Sequence, residues 1–193
     1  MRHIAVFCGS HKGKNPHFQS AAQRLGQLIA MQGRTLIYGG SNFGYMGVVS
    51  EAAMQAGGYV VGVIPTLFSD EVIQSQRVSE LVKVASMAER KEVIIQRADA
   101  FVALPGGIGT LDEVTEVMVA NQLGMCCKPV GLLNVDGYYD AFIAQMALMS
   151  EEGLMREGLG RTLFVASTPD EMLQMLDGFN PDYDREIVRN FRR

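Results

Sequence analysis

The stretch AFVALPGGIGTLDE occupies residues 100–113. It opens on a short apolar run, Ala100–Leu104, breaks at Pro105 and a glycine cluster, and resumes as helix-compatible sequence from Leu111. A strand that ends in glycines just before a helix is the building unit of an α/β fold. Working outward, the unit recurs. Apolar runs at Ile4–Cys8, Thr35–Tyr38, Val60–Ile64, Val130–Leu133 and Leu163–Ala166 alternate with helix-length segments. These segments are Pro16–Gln32, Met46–Gln55, Met87–Arg97, Leu111–Leu123, Tyr138–Ser150 and Pro169–Leu176. In the first, Phe18, Ala21, Ala22, Leu25, Leu28 and Ile29 form one stripe, and Pro16 suits a first helical turn. Ile4–Cys8 and Val130–Leu133 are apolar or glycine throughout, the pattern of central strands covered on both faces. The expectation is an α/β fold with a mostly parallel sheet.

The chain has 193 residues, which suits one domain. Residues 1–178 are expected to form it, and 179–193, rich in Arg and turn formers, a C-terminal tail. Apolar residues make up 48% and charged residues 20%, a balance that can fill a core without staples. A net charge of -4 argues against nucleic acid as a partner. No apolar run approaches the length of a membrane span, and Ile4–Cys8 is too short for a signal peptide. Cys8, Cys126 and Cys127 form no CxxC pair, so reduced thiols in a cytoplasmic protein are expected. His3, His11 and His17 lack metal-ligand spacing, and no metal or cofactor is expected.

Ligands of open α/β sheets bind beyond the carboxyl ends of the strands. Glycines gather at three such ends: after Cys8, after Tyr38, and after Leu104. Three such turns point to one composite pocket. In the third, Gly106, Gly107 and Gly109 let backbone approach a ligand closely. Thr110 is placed to cap the following helix and to donate a hydroxyl. A helix start of this kind favours phosphate, and each charge-assisted hydrogen bond contributes about 1.5–3 kcal/mol. The pattern is neither Walker A nor GxGxxG. Asp112, Glu113 and Glu116 follow within two turns. A carboxylate there either complements the helix dipole or faces a part of the ligand other than the phosphate. Arg90 and Lys91 are neighbours on the preceding helix, about 100° apart, so at most one shares a face with the ligand core.

Together these residues resemble the LONELY GUY (LOG) family, the cytokinin riboside 5′-monophosphate phosphoribohydrolases, many of which once carried the label lysine decarboxylase. The family pattern PGGxGTxxE matches at Pro105–Glu113, and MxxRK at Met87–Lys91. The likeness runs on through CGS at Cys8–Ser10, the glycine-rich stretch Tyr38–Gly47, VVGVIP at Val60–Pro65 and KPVGLLNVDGYY at Lys128–Tyr139. It covers about residues 2–176. It implies a Rossmann-like doubly wound fold with helices on both faces. It also implies hydrolysis of the N-glycosidic bond of purine nucleoside 5′-monophosphates, N6-modified or AMP, to free base and ribose 5-phosphate, in a homodimer. The catalytic pair carries over to Arg90 and Glu113. Gly106, Gly107, Ile108, Gly109 and Thr110 carry over as phosphate binders. Ser10, Gly40, Met87, Lys91, Leu111, Asp112 and Glu116 fall at substrate positions, and Glu71, with one gap, at a substrate-contacting Glu. Three departures bear on base specificity and leave the core intact. Ala88 stands where many members have His, Val119–Gln122 replaces a common TWAQ, and His11 follows CGS where Ser is frequent.

N-glycosidic cleavage builds positive charge on the ribose. An ionised Glu113 would stabilise that charge and orient or deprotonate water. Arg90 stays protonated, so it serves as anchor and partner and not as a base. Two other readings compete. A carrier of a phosphate-bearing cofactor needs the glycine loop but not the Arg90–Glu113 pair. A pyridoxal-phosphate decarboxylase needs a Schiff-base lysine, and Lys12, Lys14, Lys83, Lys91 and Lys128 sit in no recognisable cofactor motif.

Overall fold

The computed structural model describes residues 1–68, 77–155 and 162–180. Seven strands form one sheet: β1 (His3–Phe7), β2 (Thr35–Tyr38), β3 (Tyr59–Pro65), β4 (Glu80–Val84), β5 (Ala100–Ala103), β6 (Val130–Leu133) and β7 (Leu163–Ala166). Six helices connect them: α1 (Pro16–Met31), α2 (Gly44–Gln55), α3 (Met87–Arg97), α4 (Ile108–Gln122), α5 (Asp140–Glu151) and α6 (Pro169–Asp177). Every strand pairing is parallel, in the order β4-β3-β2-β1-β5-β6-β7. The fold is Rossmann-like. The chain winds outward from β1 to β4, returns to β5 on the other side of β1, and winds outward again. The switch point between β1 and β5 leaves a crevice at their carboxyl ends.

The alternation of β1 explains the layers. Ile4, Val6 and Cys8 point to a core shared with α1, α2 and α6. Ala5 and Phe7 point to one shared with α3, α4 and α5. Both faces are covered, so β1 is apolar and buried from Ile4 onward, and β5 and β6 are buried throughout. Helix starts follow local chemistry. The Asn15 side chain accepts from the His17 N–H at 2.9 Å with Pro16 in the first turn, and Thr168 caps α6 in the same way through Glu171. At α3, Ser86 Oγ accepts from the Glu89 N–H at 3.1 Å and the Glu89 carboxylate accepts from the Ala85 N–H at 2.6 Å. That reciprocal arrangement is a capping box in its logic, and it uses up the glutamate between Met87 and Arg90.

Two elements differ from the sequence expectation. The strand β4 was not anticipated. Its sequence, ELVKV, carries two charges and is mostly half-buried at the sheet edge, so it lacks the continuous apolar signature of the inner strands. Helix α4 begins at Ile108, not Leu111, because Gly107 takes the cap position. Of the expected tail, Phe179 and Asn180 are described, and the Phe179 ring meets Phe164 edge-on at 6.2 Å. The rest of the tail lies outside the described residues. No helix among the described residues is long and apolar enough to cross a membrane.

Candidate active site

The three glycine turns meet at one cavity of about 570 Å³ beyond the ends of β1, β2, β3 and β5. Gly9 and Ser10 reach it from the β1 turn, Gly39, Ser41 and Phe43 from the β2 turn, and Gly107 through Thr110 from the β5 turn. The pivot is a pair of charged side chains. Arg90 stands in the first turns of α3 and Glu113 in the second turn of α4, and both helices pack on the same face of the sheet. Their contact is 2.7 Å, Nη1 to Oε1. Arg90 is only 8% exposed and Glu113 6%. The Arg90 Nε also donates to the Val63 carbonyl at 3.1 Å, so the end of β3 holds the guanidinium from a second side. Glu113 Oε1 is itself buried and accepts no well-aligned hydrogen bond, so the short ionic contact with Arg90 is what balances its charge.

Burial pushes the Glu113 carboxyl above the usual carboxylate range, and the Arg90 charge works against that rise. A carboxylate whose pKa is raised is a stronger proton acceptor than one in water. Cys8 also lines the cavity, but burial, and after it the Glu113 charge, drives its thiol far upward, so it stays a neutral wall.

Gly39 explains how the guanidinium fits. A Cβ there would lie 2.0 Å from Arg90 Nη2, so only glycine leaves room for the arginine. At α4 the first turn carries no side-chain cap. This corrects the capping role expected of Thr110. Thr110 is the third residue of the helix, and its own N–H bonds to the Gly107 carbonyl at 3.0 Å. Thr110 is buried and lines the cavity, with its hydroxyl packed against Gly106, where a Cβ would fall 2.1 Å from Thr110 Oγ1. The helix start offers backbone N–H groups and its positive dipole end.

Of the residues singled out from sequence, Ser10, Met87, Arg90, Gly107, Ile108, Gly109, Thr110, Asp112 and Glu113 line this cavity. Five do not. Gly40 turns the chain behind its neighbour Gly39, with φ +74°. Gly106 lines a smaller adjoining depression of about 270 Å³, with Lys12, His11, Phe18 and Tyr138. Leu111 faces the core around α3, α4 and α5. Lys91 lies between Asp112 at 3.0 Å and Glu116 at 2.9 Å. The two carboxylates, Glu116 first, raise the Lys91 pKa. Lys91 and Glu116 thus brace α3 against α4 beside the cavity. Glu71 lies outside the described residues.

Sequence reasoning missed Gly39, Phe43, Met46, Ile64 and Phe68 as cavity walls. All but Phe68 stood inside motifs already quoted, yet apolar residues read as core until the topology opens a gap between them. The departures from the family pattern land away from the Arg90–Glu113 contact. Ala88 is exposed on α3, and His11 edges the small depression. Asn121 is turned inward to bond the Lys128 backbone at 2.7 and 3.0 Å. Among the described residues no group of three His, Cys, Asp or Glu is placed to hold a metal ion.

Comparison with known proteins agrees with this geometry. The family model described as possible lysine decarboxylase matches residues 46–176. The cytokinin riboside 5′-monophosphate phosphoribohydrolase LOG of Oryza sativa subsp. japonica is 42% identical over 187 residues, covering 97% of this chain and 77% of the rice protein. A phosphoribohydrolase of the same description from Arabidopsis thaliana is 41% identical, covering 95% and 84%. The chain belongs to the LOG family. Among solved structures, the molybdenum cofactor binding protein of Rippkaea orientalis superposes with a TM-score of 0.70 at 26% identity, covering 91% of this chain and 95% of that one. The decarboxylase wording of the family model finds no support in the LOG-type cavity, because none of the five lysines lines it. Lys128 Nζ instead donates to the Ile95 carbonyl at 2.6 Å, closing the end of α3.

Proposed function

We propose that this chain hydrolyses the N-glycosidic bond of cytokinin-type N6-modified adenosine 5′-monophosphates, releasing the free base and ribose 5-phosphate. The observation that carries this reading is the buried Arg90–Glu113 contact, set in the same cavity as an uncapped helix start. The helix start takes the 5′-phosphate. The apolar walls of Phe43, Met46, Ile64 and Phe68 take the base. The ribose then lies against Glu113. Its carboxylate stabilises the oxocarbenium-like charge and deprotonates a water that attacks C1′. The hydroxyl of that water ends on C1′, and its proton is passed on to the departing purine. Arg90 keeps Glu113 ionised and orients it, and stays protonated throughout.

A homodimer is part of the same reading. Ile108, Val119, Leu123 and Met125, along and just after α4, are exposed apolar side chains and favour a second copy as cover. A monomer-sized species in light scattering at micromolar concentration would count against it. A reducing, cytoplasmic setting belongs to the same reading, in which Cys8, Cys126 and Cys127 stay as thiols.

The test is product analysis with isopentenyladenosine monophosphate and AMP, each beside its dephosphorylated nucleoside. Release of base from the monophosphates and not from the nucleosides is expected. Equal rates with and without the phosphate would remove the role given to the helix start. Tight nucleotide binding with no cleavage would favour the carrier reading.

A further inference from the structure

Residues 134–139, NVDGYY, touch the glycine loop from outside the large cavity. Two neighbouring hydroxyls hold two of its carbonyls. Tyr139 donates to the Leu104 carbonyl at 2.6 Å, and Tyr138 donates to the Gly106 carbonyl. The carbonyl between them, that of Pro105, accepts the Gly9 N–H at 3.4 Å. Three successive carbonyls are thus occupied. The described residues contain no cis peptide. In a planar trans peptide the carbonyl and the following N–H point to opposite sides. A hydroxyl on the Gly106 carbonyl therefore aims the Gly107 N–H away from Tyr138. Gly107 lies between the smaller depression, which Tyr138 also lines, and the large cavity, which Tyr138 does not reach, so the side away from Tyr138 is the large-cavity side.

We propose that Tyr138 is a positioning residue for the anion loop: its hydroxyl sets the Gly106–Gly107 peptide plane so that the Gly107 N–H faces the phosphate of the nucleotide. This rests on the phosphate placement of the proposed function. The turn that carries Tyr138 is built to hold it still. Asp136 and Gly137 both have positive φ, +52° and +73°. An L-residue adopts that conformation only when something holds it. Here the Asp136 carboxylate accepts from Asn15 Nδ2 at 2.7 Å, and His17 Nδ1 lies 2.7 Å from the same oxygen. Asn134 closes the turn by donating to Asp140 at 2.7 Å and accepting the Tyr139 N–H at 2.7 Å. The Tyr138 ring is fixed edge-on between Phe18 at 5.3 Å and Tyr139 at 5.0 Å.

The experiment compares Tyr138→Phe and Tyr138→Leu with the wild type, as full chains whose thermal melts are recorded. In Tyr138→Phe the ring contacts stay and only the hydroxyl goes. One neutral hydrogen bond corresponds to a factor of about five. The expected result is a KM for the nucleoside monophosphate raised about fivefold, with kcat moved less than twofold. Calorimetric binding of ribose 5-phosphate should weaken by the same factor, and Tyr138→Leu should lose at least as much. Phe matching the wild type while only Leu loses affinity would overturn the proposal, since the ring and not the hydroxyl would then matter. A wild type that binds ribose 5-phosphate but cleaves no nucleotide would refute the proposed reaction, and the binding comparison would still decide the role of Tyr138. No ribose 5-phosphate binding by the wild type would overturn both.

Discussion

Gly39→Ala is the perturbation that most directly probes the Arg90–Glu113 pair without altering either residue. The new Cβ would stand 2.0 Å from Arg90 Nη2 and 2.8 Å from Met46 Sδ. Ordinary contact begins near 3.4 Å, so the guanidinium has to retreat by about 1.4 Å. The tip of an arginine can move that far, and the protein should fold. The retreat is opposed on both sides by the 2.7 Å contact to Glu113 and the 3.1 Å bond to Val63. A misplacement of about 1 Å in a catalytic group costs about 10²-fold in rate, equivalent to about 2.7 kcal/mol of barrier. The assay is steady-state hydrolysis of isopentenyladenosine monophosphate, with circular dichroism and a thermal melt as folding controls. Met46→Ala in the same chain separates the causes, because it removes the sulfur contact and leaves the guanidinium clash. It should not restore turnover. A folded Gly39→Ala protein with turnover within threefold of wild type would refute the reasoning. So would full rescue by Met46→Ala.

Glu113→Gln should lower turnover by about 10²–10³-fold with nucleotide binding retained, since a preorganised electrostatic group contributes about 3–4 kcal/mol to the transition state. Arg90→Ala should lower turnover and weaken binding, and the double variant should be little worse than the worse single one when the two are assayed side by side. The raised pKa of Glu113 places its protonation above the ordinary value of 4.5, so kcat/KM should fall with decreasing pH along a limb displaced upward from that value, and Glu113→Gln should abolish the limb. The same group binds its proton more tightly folded than unfolded. Its contribution to stability is therefore present at low pH and lost as pH rises through the folded value, and melts of Glu113→Gln should lack that dependence. Gly109→Ala meets nothing within 4 Å in the first turn of α4, so the melting temperature should rise by about 1–3 °C while KM for the monophosphate rises, because the added methyl occupies the space given to phosphate. An unchanged KM would move the phosphate elsewhere.

Much of the fold was legible in the sequence because its signals are local. The apolar runs of β1, β5 and β6, the stripe of α1 and the glycine breaks between them each depend on a few neighbouring residues. Those runs placed six of the seven strands and all six helices to within a few positions. β4 escaped because an edge strand keeps one side open and tolerates Glu80 and Lys83. The glycine loop and the helix behind it were also readable, since strand, turn and helix follow one another in the chain.

What only the tertiary structure decided are the meetings across the switch point. Arg90 and Glu113 lie on helices either side of β5, and nothing in the local sequence of either says that both side chains turn to the same point or that the contact is 2.7 Å. Gly39 looks like any turn glycine until the guanidinium occupies the place of its missing Cβ. Tyr138 and Tyr139 read as helix-start aromatics until the return of the chain from β6 brings them onto the carbonyls of the β5 turn. Lys91, read as a ligand contact, is drawn off by Asp112 and Glu116. The physical reason is the same in each case. Periodicity and turn chemistry act over a few residues of chain, whereas close contacts between side chains distant in sequence depend on strand order and helix packing.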